Sequence, residues 1–133
     1  MSKIVNTSGK RKLSIARATI KEGKGRVKIN HRSLDVYSPR LAQLKIKEPL
    51  ILSGDLANSV DITVSLCGGG VMSGAEAARL AIARGLVEYS GDESLKDRFL
   101  SYDRTLLVAD VRYKETCKPN DSKARAKRQK SYR

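Results

Sequence analysis

At 133 residues and 14.6 kDa the chain has the length of one domain, or of one domain with a tail, and its 40% hydrophobic content is enough to form a core. Lys and Arg number 27 against 14 Asp and Glu, a formal net charge of +13, so the expected partner is a polyanion. No uninterrupted apolar run is longer than the four residues of Leu106 to Ala109, and no basic stretch leads into an apolar one at the N-terminus. Cys67 and Cys117 lack zinc-site spacing, and His31 is the single histidine. These features argue against a membrane span, a secretory signal, a disulfide scaffold, a metal site and a His-based triad, and point to a soluble cytoplasmic domain.

Residues 12–21 read as a strand of β-branched and small residues, and Glu22 to Gly25 as a turn. Arg26 to Asn30 alternates, with Val27 and Ile29 on one face and Arg26 and Lys28 on the other. Together these stretches predict a hairpin with a basic exposed face. Ser38 and Pro39 predict a helix start, with Ser as N-cap and Pro in the first helical position; Pro49 predicts its end near Glu48. Gly54-Asp55 marks a turn. Over residues 59–66, Val60, Ile62, Val64 and Leu66 alternate with Asp61, Thr63 and Ser65, the clearest strand in the chain.

Gly68, Gly69 and Gly70 end that strand. Ser73 and Glu76 then fit a capping box that opens a helix to about Tyr89. Ala75, Ala78, Ile82, Leu86 and Tyr89 form one apolar stripe and Leu80 with Val87 a second, so the helix is mostly buried. Ala77, Ala81 and Gly85 make a smooth ridge on which another backbone can lie. A short helix over residues 93–102 sets Leu95 and Phe99 one turn apart, capped near Asp92 and Glu93. Strands and helices in this order predict an α+β fold, a two-layer sheet-and-helix domain of about 100 residues.

The charge is not evenly spread. Residues 1–32 hold ten Lys/Arg and one acid, a net of +9; residues 33–110 carry −3; residues 111–133 carry +7. The division implies a globular RNA-binding body over 1–110 and an extended basic C-terminal tail over 111–133. From Asp121 onward almost no apolar side chain is available for burial, so the tail alone is expected to be a mobile arm, ordered by a partner that brings negative charge. A purely solubilising tail is the alternative.

The strand, glycine loop and helix at residues 59–89 invite a nucleotide-binding reading, because a helix N-terminus presents unpaired N–H groups to a phosphate. Its spacing fails: G-x-G-x-x-G would need Gly at position 73, where Ser73 stands, and G-K-[ST] is absent. Gly68, Gly69 and Gly70 could instead hold an RNA backbone phosphate, or serve turn geometry alone. Lys10, Arg11 and Lys12 enter a strand, and Arg17, Arg26, Lys28 and Arg32 extend the cluster over the hairpin face. One acid among ten bases in this region favours phosphate binding over a merely solvated surface. Arg79 and Arg84 either contact RNA or pair within their helix with Glu76 and Glu88. His31 reads as a surface turn residue, Cys67 as a small core residue, and Cys117 lacks a partner for nucleophilic catalysis. No constellation supports an enzyme. A nucleotide-dependent enzyme and a general polyanion binder remain the competing classes.

Several runs together resemble one known family. Gly9 to Lys12 followed by Ile15-Ala16-Arg17, the turn into Arg26 to Asn30, and Arg32-Ser33-Leu34 with Tyr37 resemble the opening of the universal small-subunit ribosomal protein nine family. Gly68 to Gly70, Ser73-Gly74 and Ala77 to Arg84 resemble its signature segment, and the resemblance runs over essentially the whole chain. Ile46 to Pro49 and the Ser-Tyr-Arg ending are similar to the archaeal and eukaryotic branch.

The resemblance implies a fold like domain two of small-subunit protein five, carrying a long basic extension, and a cytoplasmic location in the ribosome. It implies no cofactor, no metal, no small-molecule substrate and no membrane. The partners it implies are small-subunit rRNA of the head, peptidyl-site tRNA, and neighbouring head proteins, including those numbered seven and ten. The rRNA contacts would come from the basic cluster above and from Arg112, Lys114, Lys118, Lys123, Arg125, Lys127 and Arg128 of the tail. The tip would approach the anticodon stem-loop through Arg133, Lys130 and Tyr132. Many bacterial members have Lys where this chain has Tyr132, a side chain that would stack on a base or ribose.

Overall fold

Alternation of inward small or apolar residues with exposed ones, clearest over Ser14–Glu22 and Val60–Cys67, builds the sheet. In the computed structural model, which describes residues 3–133, five strands form: β1 (Ile4–Arg11), β2 (Ser14–Glu22), β3 (Val27–Ile29), β4 (Arg32–Ser33) and β5 (Val60–Cys67). Their order across the sheet is β1-β2-β5-β3-β4. β1 and β2 are antiparallel, Ile4 opposite Lys21 and Arg11 opposite Ser14, and turn tightly through Lys12 and Leu13. β5 runs antiparallel to β2 and parallel to β3.

The predicted hairpin is therefore corrected. β2 does form, but β3 does not pair with it. β5 lies between them, bonding Glu22 through Ile15 on one edge and Val27 through Ile29 on the other. The actual hairpin partner is β1, whose alternation is weak in sequence because Thr7 and Gly9 occupy inward positions.

The helices are α1 (Arg40–Ser53), α2 (Asp55–Asn58), α3 (Val71–Ser90) and α4 (Glu93–Tyr102). They cover one face of the sheet. Ala16, Ala18 and Ile20 of β2 and Val60, Ile62 and Val64 of β5 are buried there against Ala78, Ile82 and Leu86 of α3, Ile46 of α1 and Phe99 of α4. The small-residue ridge works as its sequence implies. A Cβ on Gly9 would lie 2.3 Å from the Ala77 carbonyl oxygen and 2.8 Å from the Ala81 amide nitrogen. Thr7 Oγ1 donates to the Ala81 carbonyl at 2.8 Å. β1 thus lies almost backbone to backbone on α3.

Three boundaries differ from the sequence reading. α1 begins at Arg40 with Pro39 as its N-cap residue, and the Ser38 side chain makes no cap. It continues through Pro49 to Ser53. The missing Pro N–H forfeits one bond to the preceding turn, but the ring is fully buried, and that burial offsets the loss. α3 begins one turn before the expected capping box: Gly70 is its N-cap residue, and Ser73, at the third helical position, accepts from the Gly70 N–H at 3.0 Å. Cys67 is exposed, because the parity of β5 turns it toward the helix-free face opposite Ile15. α4 forms where predicted, with Asp92 capping and with Leu95 and Phe99 buried. Among the described residues no helix is long and apolar enough to cross a membrane.

Gly9→Ala is expected to destabilise the fold by about 1–3 kcal/mol, since the added methyl meets backbone that cannot turn aside. Urea denaturation measures it; an unchanged midpoint would refute the close packing of β1 on α3.

Candidate nucleic-acid interface

Among the described residues no helix covers the other face of the sheet. Asn6, Thr19, Thr63, Lys28 and Ser33 stand side by side in register across all five strands, and every one is exposed. Ser8, Arg17 and Ser65 form the next row, and Lys10, Ile15 and Cys67 the one beyond. On the other side lie Ile4, Lys21 and Asp61. Sequence reasoning placed Lys10, Arg17 and Lys28 on an exposed basic face, and they share one. It missed Lys21, although the alternation of β2 gives Lys21 the same parity as Arg17. It also missed the hydroxyl and amide row between the cations.

Asp61 is the acid on this face, and it is already engaged. It accepts from the backbone N–H of Lys24 at 2.9 Å, and Arg26 donates through Nη2 at 2.9 Å and through its own backbone N–H at 3.0 Å. These bonds, the Lys24 one foremost, hold its carboxyl well below the usual carboxylate range. The carboxylate thus fixes the loop before β3 and leaves little negative charge to repel an anion. Arg26 remains 69% exposed in its side chain and keeps Nη1 for another partner. Arg32 is exposed but sits opposite Ile29, so it leaves β4 on the other side of the sheet from Lys28, a correction to the predicted cluster.

Three predicted contact residues face inward instead. The Arg11 side chain is 17% exposed. It donates to Glu76 at 2.7 Å and to the Arg112 carbonyl at 3.0 Å, and lies 3.4 Å from Asp110. Lys45 of α1 bonds the other Glu76 oxygen at 2.9 Å. Burial pushes the Glu76 carboxyl up, and the hydrogen bonds from Lys45 and Arg11 outweigh it, leaving the group below its ordinary value. Arg79, buried on α3, donates to Thr105 at 3.1 Å and to Asp103 at 3.0 Å. Glu48 adds a charge contact whose angle makes no hydrogen bond. Arg84 donates to the Leu107 carbonyl at 3.0 Å and the Ser8 carbonyl at 3.1 Å. Neither predicted intrahelical pair forms, because both guanidiniums find better-placed acceptors on the segment that follows α4.

That segment carries Leu106, which is fully buried, and then leaves the body at Asp110 and Arg112. Arg112 donates to Asp110 at 2.7 Å, the main cause of a depressed Asp110 carboxyl, with Arg11 behind it. Beyond this point the chain has no regular helix or strand and is almost wholly exposed. Lys114, Lys123, Lys127, Lys130, Tyr132 and Arg133 project into solvent. Glu115 receives Arg125 at 2.7 Å, and Lys118 donates its backbone N–H to the Ser122 carbonyl at 3.2 Å, so residues 115–126 loop back on themselves. Arg128 lies 3.9 Å from Asp121, too far for a strong bond.

At the glycine loop, Ser14 Oγ donates to the Gly68 carbonyl at 3.0 Å and lies 2.8 Å from Ser73 Oγ. Gly68 and Gly69 both have positive φ, and a Cβ on Gly69 would meet Ser14 Oγ at 2.0 Å. Turn geometry therefore accounts for these glycines. His31 is an exposed turn residue, as expected.

A family model for ribosomal protein S9/S16 matches residues 9–133. The chain is 53% identical over 131 residues to the small ribosomal subunit protein uS9 of Methanothrix thermoacetophila, covering 98% of this chain and 99% of that one. It is 47% identical over 133 residues to the protein of the same name from Methanococcus maripaludis, again at 98% and 99% coverage. Both relatives are archaeal, the branch that the Ser-Tyr-Arg ending resembles.

Two outcomes are expected from these contacts. Arg79→Met strands Asp103 and Glu48; because both carboxylates reach solvent, the loss should sit at or below the low end of the about 3–5 kcal/mol seen for broken buried pairs. Denaturation measures it, and wild-type stability would contradict the clamp. Asp61 has a depressed carboxyl in the fold, so its contribution is present at neutral pH and disappears as pH falls below about 4 toward its folded value. Asp61→Asn should therefore melt lower than wild type at pH 7 and show a shallower decline on acidification; parallel pH profiles would contradict this.

Proposed function

The chain belongs to the ribosomal protein S9/S16 family, and from that premise we propose that it is a structural component of the small ribosomal subunit whose open sheet face and tail bind rRNA of the head, and whose last residues touch tRNA in the peptidyl site. Its place is the ribosome, in the cytoplasm, and its work is translation. The family is not an enzyme family.

The observation that carries the reading is a sorting of cations. Arg11, Arg79 and Arg84 are bound to carboxylates and carbonyls inside the protein. Lys10, Arg17, Lys21 and Lys28 on the sheet face, and Lys114, Lys123, Lys127 and Lys130 on the tail, are exposed and bound to no carboxylate among the described residues. Such charges replace condensed counterions along folded RNA, a gain that does not depend on base sequence. Small Ala and Ser residues between them keep the arm thin enough to pass between RNA helices.

At the tip, the Arg133 guanidinium suits a two-point contact with a tRNA phosphate, and Tyr132 offers a ring for a ribose or base. Both contacts read position and shape and are indifferent to the codon. Other head proteins are the remaining neighbours in this proposal.

Deleting Lys130 through Arg133 should leave subunits assembling normally while peptidyl-site tRNA dissociates faster. Loss of about two charged contacts amounts to roughly 1–3 kcal/mol, or about five- to 150-fold in rate. Unchanged dissociation would refute the tRNA contact, and recovery of the protein only outside salt-washed subunits would refute the ribosomal role.

A further inference from the structure

The helix-free sheet face holds more than cations. Asn6, Thr19, Thr63, Lys28 and Ser33 make an unbroken polar row across five strands, roughly 19 Å long at ordinary strand spacing. Ser8 and Ser65 flank Arg17 in the row beside it. Thr19 Oγ1 donates to Asn6 Oδ1 at 2.8 Å, which leaves the Asn6 amide hydrogens as donors and the Thr19 oxygen lone pairs as acceptors. Thr63 is exposed in the middle of the sheet. None of the five strands carries a Phe, Tyr or Trp.

That last absence selects the kind of RNA. Proteins that seize single strands stack bases on aromatic rings, and the five strands of this face supply no Phe, Tyr or Trp. Short hydroxyl and amide side chains on a broad, shallow face suit instead the wide minor groove of an A-form duplex, where 2′-hydroxyls act as both donor and acceptor. Lys10, Arg17 and Lys21 beside the row, and Lys28 toward one end of it, would then meet the phosphates that border the groove.

We infer that this face is a duplex-RNA reader: the row through Asn6, Thr19 and Thr63 recognises ribose 2′-hydroxyls in a minor groove, and the surrounding cations hold the two backbones. The inference rests on the rRNA-binding reading above and adds the form of the RNA and the group that is read.

The test uses the full-length protein and three duplexes of one sequence: RNA, 2′-O-methyl RNA, and DNA. The 2′-O-methyl duplex keeps the A-form shape and removes the hydroxyl donor. Wild type should bind RNA about tenfold more tightly than 2′-O-methyl RNA, the worth of one or two neutral hydrogen bonds. Thr19→Val with Thr63→Val, β-branched substitutions suited to exposed strand positions, should abolish that preference. Arg17→Ala with Lys28→Ala should weaken binding to both A-form duplexes equally and reduce the salt slope by about two. The tail contributes alike to each A-form duplex, so the ratio isolates the face. Equal affinity of wild type for RNA and 2′-O-methyl RNA would overturn the inference, as would a preference that survives the double valine variant. Failure to bind any of the three duplexes would overturn the rRNA-binding reading itself, and the inference with it.

Discussion

The segment that leaves the folded body is held by guanidinium groups more than by apolar side chains. Arg84 reaches from α3 to the carbonyls of Leu107 and Ser8, Arg79 to Asp103 and Thr105, and Arg11 from β1 to Glu76 and the Arg112 carbonyl. Leu106 is the one fully buried anchor among them. A planar guanidinium can serve two acceptors on different elements at once, which a Lys ammonium does with less geometric control. The result is a tail whose first residues have a fixed direction even though its later ones have no regular structure. An arm that must reach a defined place in a larger particle needs such a root.

The same arrangement divides the positive charge by role. A guanidinium surrounded by carboxylates and carbonyls has little left for an external phosphate. Arg17 and the lysines of the helix-free face, together with Lys114, Lys123, Lys127, Lys130 and Arg133 of the tail, keep their charge available, whereas Arg112 and Arg125 are paired with Asp110 and Glu115. Asp61 belongs to this scheme: saturated by Lys24 and Arg26, it fixes a loop without opposing an approaching polyanion. Close approach of β1 to α3, possible because Gly9 meets Ala77 and Ala81, frees the far side of the sheet by letting one long helix cover several strands.

Periodicity made some of this legible in the sequence. The alternation of residues 59–66, the apolar stripes of α3 and the spacing of Leu95 and Phe99 each report a local geometry that the fold keeps. Strand pairing was not legible, because which strand lies beside β2 depends on contacts far apart in the chain, and a turn at Glu22 to Gly25 is compatible with a hairpin or with an inserted β5. Pro49 misled because propensity ignores the burial that rewards its ring. Arg79 and Arg84 misled for a related reason: helical spacing supplies Glu76 and Glu88 as neighbours, but the fold brings Asp103 and the Leu107 carbonyl closer. The basic face was readable as charge, whereas its hydroxyl row was visible only once register aligned Asn6, Thr19 and Thr63.

The central claim is that charges left unpaired by the fold are those covered by RNA. Lysine acetylation kinetics, measured residue by residue on the free protein and on the intact small subunit, address it directly. Lys10, Lys21 and Lys28 of the sheet face and Lys114, Lys123 and Lys127 of the tail should all react readily in the free protein and become strongly protected in the subunit. Equal reactivity of these lysines in both states would contradict the account.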